Sequence, residues 1–108
     1  MNLPSEIFGD VIVVHTPEEL NADNSDALPN YLSQLERRNI VLDLDNTEAI
    51  DSEGLTALLD ARDQLRDLEG DVKISTSSQG NRKILEITRL DQQLDVFESV
   101  IDAVKSFR

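Results

Sequence analysis

Residues Ile40 to Leu55 read IVLDLDNTEAIDSEGL, an apolar run followed by a polar junction and the start of a helical pattern. Ile40 to Leu44 is short and nearly all apolar, the pattern of a strand covered on both faces, so it is expected at the centre of a sheet. From Gly54 to Leu68 the apolar residues Leu55, Leu58, Leu59, Leu65 and Leu68, with Ala61 and Arg62 between, follow the 3.6-residue period of an amphipathic helix. Glu69-Gly70 ends that helix. Between strand and helix lie Asp43, Asp45, Thr47 and the segment Asp51-Ser52-Glu53, and the chemistry of this junction is what the sequence leaves to be explained.

The flanking segments complete an α/β pattern. Residues 3 to 8 suit a short strand, Gly9-Asp10 a hairpin turn, and Val11 to Thr16 a β-branched strand. Asp23 or Ser25 can cap a helix running to about Arg38, with Leu28, Leu32 and Leu35 on one face, Pro29 confined to the first turn, and Asn39 available as a left-handed terminator. Val72 to Thr76 is a further strand, Asn81 to Ile87 a short helix, and Leu94 to Phe97 a last short strand. Val100, Ile101, Val104 and Phe107 then make the apolar face of a C-terminal helix. The order β-β-α-β-α-β-α-β-α predicts one domain over residues 1 to 108: a mixed sheet of four to five strands with about four α-helices.

The chain has 108 residues, 39% of them hydrophobic, with three Phe, one Tyr and no Trp, so the core must be built from Leu, Ile and Val. It has no Cys and a single His15, which excludes disulfides and thiolate metal sites and leaves little for zinc. The N-terminus lacks a basic segment followed by an apolar one, and no apolar run approaches the ~18 residues that span a bilayer, so the cytoplasm is the expected compartment. Net charge is −12, and between Asp43 and Asp71 ten acids face only Arg62 and Arg66. Such a surface repels nucleic acid and anionic membranes. It is either a solvated face or a docking face for a basic or neutral partner.

Asp43-Leu44-Asp45-Asn46-Thr47 also matches the DxDxT pattern with which metal-dependent phosphatases of the haloacid dehalogenase superfamily present a nucleophilic Asp and a general acid. That chemistry needs Mg²⁺, further acidic ligands from later strands and a cation for the phosphoryl oxygens. Only 61 residues follow Thr47, room for about two βα units at roughly 30 residues each. No second paired-acid motif follows at a strand end. A phospho-receiver domain would need an acidic pair after the first strand, where this chain has His15-Thr16-Pro17. His15 is expected at or near the surface, and Thr76-Ser77-Ser78-Gln79-Gly80, without a Lys at the Walker spacing, as a plain loop.

The segment VLDLDNTEAIDSEGLTALLDA resembles the centre of STAS domains, the bacterial anti-sigma factor antagonist family, in which an apolar strand, an Asp, a short loop and D-S-x-G-L precede an amphipathic helix. Gly9 to Val14 is similar to that family's opening hairpin, Glu19-Leu20-Asn21 to its E-L-D turn, Asn81 to Thr88 to its short third helix, and Phe97 to Ala103 to the start of its last helix. The resemblance spans residues 9 to 107. It implies no enzymatic activity and no cofactor, and makes Ser52 the phosphoacceptor of a serine kinase, often itself the anti-sigma factor, with a cognate phosphatase reversing the step. It implies partner contacts at Asn21, Asp23, Asp51, Glu53, Gly54 and Leu55, and leaves a monomer or weak dimer open. The alternative is a STAS subunit of another assembly, a lipid-transport or stress-sensing complex, with Ser52 only a helix N-cap.

Four positions depart from the family pattern. Glu53 stands where another Ser is common, Glu18 where the turn usually has Gly, Asn21 where Asp is frequent, and Arg89 where a Gly often follows the short helix. Gly54, in the first helical turn, is a poor helix former by up to about 1 kcal/mol against Ala. It fits a close approach, by a partner or by a neighbouring loop.

Overall fold

The computed structural model describes residues 1–107. Five strands form the main sheet: β1 (Ser5–Phe8), β2 (Val11–His15), β4 (Asn39–Asp43), β6 (Asp71–Ser75) and β7 (Val96–Phe97), in the order β1-β2-β4-β6-β7. β1 pairs antiparallel with β2 through a hairpin whose Gly9 has φ 62°, and the remaining neighbours are parallel. The all-apolar strand is central, as its composition predicts. Ile40 pairs with Ile12 on one side and Val72 on the other.

The helices are α1 (Leu28–Ser33), α2 (Ser52–Asp67), α3 (Gln79–Ile87) and α4 (Val100–Lys105). Side chains alternate across the sheet. Ile40, Leu42 and Leu44 face a large core closed by Leu28 and Leu32 of α1, Leu58, Ala61 and Leu65 of α2 and Leu85 of α3. Val11, Val13 and Val41 face the other way, under Ala103 of α4. The second layer is thin, and Lys73 closes it. Its ammonium lies 4.4 Å from the Phe107 ring centre and donates to the Ser106 carbonyl and hydroxyl.

Several boundaries differ from the sequence reading. The helix expected to reach Arg38 is a 3₁₀ turn at Ser25–Ala27 followed by α1, which ends at Ser33. Neither Asp23 nor Ser25 caps it, and Asn39 does not terminate it. Asn39 opens β4 opposite Val11 and Asp71, and residues after Ser33 must leave the helix to bring it there. At the end of α2 the left-handed residue is Glu69, φ 66°. Gly70 has another role: a β-carbon there would collide with the Arg38 carbonyl. Arg89 is also left-handed, φ 62°, which accounts for the glycine often found at this position in the resembled pattern. Ile101 lies outside the buried face of α4 and is 65% exposed.

Candidate functional site

Two strands absent from the sequence reading build the site. β3 (Glu19–Leu20) and β5 (Ala49–Ile50) pair in parallel beyond the C-terminal ends of β2 and β4. This second, two-stranded sheet brings the Asn21 turn beside the start of α2. The Asp51 amide donates to the Leu20 carbonyl at 3.1 Å, and Gly54 packs against that same oxygen. A β-carbon on Gly54 would overlap it and stand 3.0 Å from Ile50 Cγ2. The glycine therefore admits a neighbouring loop of its own chain.

The helix cap is Asp51, not Ser52. Asp51 is extended, φ −94° and ψ −176°, and its Oδ1 accepts from the Gly54 amide at 2.9 Å. Its Oδ2 accepts from the Ala22 amide at 3.2 Å, so one carboxylate ties the helix start to the opposite turn. Ser52 is the first helical residue. It is exposed, and among the described residues its hydroxyl has no hydrogen-bond partner. The amides of Ser52 and Glu53 have none either, as expected for the open first turn of a helix.

The turn is held from within. Asn21 Oδ1 accepts from the Asp23 amide at 3.0 Å, and Asn24 links two strand-end groups, accepting from the Asn21 amide at 3.0 Å and donating to the Glu19 carbonyl at 2.7 Å. Asn24 had no sequence signal beyond its turn-forming type. Of the expected contact residues, Asp23, Asp51 and Glu53 are exposed around Ser52, Asn21 and Leu55 are half-buried, and Gly54 is buried. Glu18, Glu19 and Glu48 lie on the same edge, which adds further acids to those around Ser52.

The DxDxT residues hold this edge in place. Asp43 is 7% exposed; its Oδ2 bonds His15 Nδ1 at 2.9 Å and its Oδ1 accepts from the Asp45 amide. Asp45 Oδ1 accepts from the Ser77 amide at 2.7 Å and from the hydroxyls of Ser77 and Thr76. Donors of Thr76 and Ser77 thus bind a carboxylate of the chain itself, while Gln79 and Gly80, expected in the loop, open α3 behind its cap Ser78. Thr47 donates to the Pro17 carbonyl at 2.6 Å and contacts the Thr16 hydroxyl. Buried Asn81 donates to the Leu44 and Thr47 carbonyls, both at 3.0 Å. Among the described residues no three His, Asp or Glu side chains converge as a metal site.

His15 is partly buried and bridges two acids, with Nε2 2.6 Å from Glu6. Burial opposes its charge most strongly, but the hydrogen bonds and charges of Glu6 and Asp43 together outweigh that and raise its pKa above the ordinary 6.5. No helix among the described residues is long and apolar enough to cross a membrane.

Comparison with solved structures shows the same fold. An anti-sigma factor antagonist from Mycobacterium paratuberculosis is 20% identical, with TM-score 0.80 over 97% of this chain and 92% of that one. The Bacillus cell fate determinant SpoIIAA in its phosphorylated form is 17% identical, with TM-score 0.69 over 99% of this chain and all of that one (100%). A sulfate transporter family protein from Wolinella succinogenes is 18% identical, with TM-score 0.76, covering 94% of this chain and 87% of that one. A search of curated protein sequences returns no match. The STAS domain family model matches residues 2–103, nearly the whole chain, and this protein belongs to the STAS domain family.

Proposed function

We propose that this chain is an anti-sigma factor antagonist: a non-enzymatic switch that binds a serine kinase or anti-sigma partner through the surface around Ser52 and is released when Ser52 is phosphorylated. The observation that carries this reading is the division of labour between neighbours. Because Asp51 caps the helix, the Ser52 hydroxyl is free and exposed at its first turn. A residue needed as a cap would be a poor phosphoacceptor. The fold likeness to phosphorylated SpoIIAA supports the same reading.

The physics of a phosphate at this position favours a local switch. The open amides of Ser52 and Glu53 and the helix dipole stabilise an added anion by about 0.3 to 1 kcal/mol, so the domain keeps its fold. At a docked interface the balance reverses. A phosphate of charge about −1.5 to −2 must then be desolvated beside Asp51, Glu53 and Asp23. A penalty of about 3 kcal/mol weakens binding by roughly a hundredfold. Asn21, Asp23, Asp51, Glu53 and Leu55 form the contact surface, and buried Gly54 supports it by letting the Leu20 carbonyl approach.

Intact-mass measurement on the protein purified from its own host tests this directly. One phosphoryl group on the wild type, absent from Ser52→Ala, is the expected result; phosphate on another residue would contradict it. The second reading, a STAS subunit of a transport or stress-sensing assembly, draws on the likeness to the Wolinella succinogenes protein. Co-purification with a kinase or phosphatase favours the switch, and co-purification with transport components the subunit.

A further inference from the structure

On the α4 side of the sheet, at the end where β2 and β4 begin, an open groove of about 620 Å³ runs between the β1–β2 turn and α4. Phe8 and Asp10 form one wall, Ile101 and Lys105 the other, with Val11 and Val104 between. Phe8 is 50% exposed and Ile101 65%. A monomer gains nothing by leaving two large apolar side chains at the rim of an apolar groove.

We propose that this face docks a second copy of the same chain. Groove and protruding side chains occupy one patch, as an isologous two-fold contact requires. Its rim charges are also self-complementary. Asp10 stands on the hairpin wall and Lys105 on the helix wall, and among the described residues neither joins an ion pair. A two-fold axis along the groove lays each wall over the opposite wall of the other copy. Asp10 of one then faces Lys105 of its partner, and Ile101 packs against the partner's Phe8. A partner of a single charge sign would leave one rim charge opposed.

Of the acids, exposed Asp102 lies on α4 itself but does not line the groove. Asp60, Asp63 and Asp67 lie on α2, which covers the other face of the sheet. A contact confined to this groove and its rim makes a weak, concentration-dependent dimer. Ser52 lies beyond the opposite ends of the strands and stays exposed in each copy. The dimer would present two switch surfaces at once, and its existence does not depend on the Ser52 reading.

Sedimentation equilibrium of the full chain from ~10 µM to ~1 mM, in ~0.3 M salt to screen net repulsion, reads the outcome. The mass is expected to climb toward twice the monomer. Ile101→Glu should remain monomeric with an unchanged circular dichroism spectrum, since the side chain is outside the core. Lys105→Glu should weaken association by about tenfold, and adding Asp10→Lys to it should restore association, because the pair is re-formed with its signs exchanged. A wild type that stays monomeric throughout overturns the proposal and leaves the groove to a different protein. Dimerisation that survives Ile101→Glu, or a charge exchange that folds but restores nothing, overturns it as well.

Discussion

The carbonyl oxygen of Leu20 occupies the space that a β-carbon on Gly54 would need. Two opposing effects meet at this contact. Replacing a helical glycine by alanine gains up to about 1 kcal/mol of helix propensity, whereas forcing an atom into packed backbone costs about 1 to 3 kcal/mol. The obstacle is backbone, held by the β3–β5 pairing, so it cannot swing aside as a side chain would. Gly54→Ala is therefore expected to lower stability by about 1 kcal/mol or more in urea denaturation. A stabilised variant would show that the two segments are not in contact.

Asp51 makes two separable hydrogen bonds. Asn is as good an N-cap as Asp, so Asp51→Asn should keep the Gly54 amide bond while placing an amide donor against the Ala22 amide. Asp51→Ala loses both bonds and should cost about 1 to 2 kcal/mol. Amide hydrogen exchange distinguishes them. Ala22 should lose protection in both variants, and Gly54 only in Asp51→Ala.

His15 gives stability a defined pH dependence. Its folded pKa is raised above 6.5 by Glu6 and Asp43 against the opposing effect of burial, so the folded state holds the proton more tightly than the unfolded chain. The contribution is fully present below about pH 6.5 and is lost as pH rises through the folded value. Denaturation midpoints of the wild type should therefore fall relative to those of His15→Gln as pH rises across that window. A wild-type contribution that grows with pH would mean that His15 is neutral in the bridge.

Asn81 joins α3 to the loop that leads to Ser52. Asn81→Ala removes both bonds from its side-chain amide and leaves the Leu44 and Thr47 carbonyls without that donor. A loss of about 1 to 3 kcal/mol is expected. Asn81→Asp should be at least as costly, because a carboxylate would face two carbonyl oxygens. Thermal unfolding of the two variants beside the wild type checks both.

Most of this fold was legible because its elements bury a clear periodic face. Val41 and Leu42 have no polar neighbour before Asp43, and Leu55, Leu58 and Leu65 keep the helical period, so β4 and α2 could be read from single segments. The misses have physical reasons. Leu28, Leu32 and Leu35 stay on the core whether or not the helix continues past Ser33, so spacing could not show where α1 stops. β3 and β5 contain two residues each, too few for any alternation to register. Asp51 and Ser52 are equally good cap types, and backbone angles alone decide between them. The exposed Ile101 escaped for the opposite reason: helical spacing marks an apolar residue without showing whether its own chain covers it.

Calorimetric titration of the kinase or anti-sigma partner, purified with this protein from the host, into unphosphorylated and Ser52-phosphorylated chains measures what the added phosphate does to binding. Both forms are expected to unfold at nearly the same temperature, with phosphorylation weakening binding by roughly a hundredfold. Equal affinity of the two forms would contradict it.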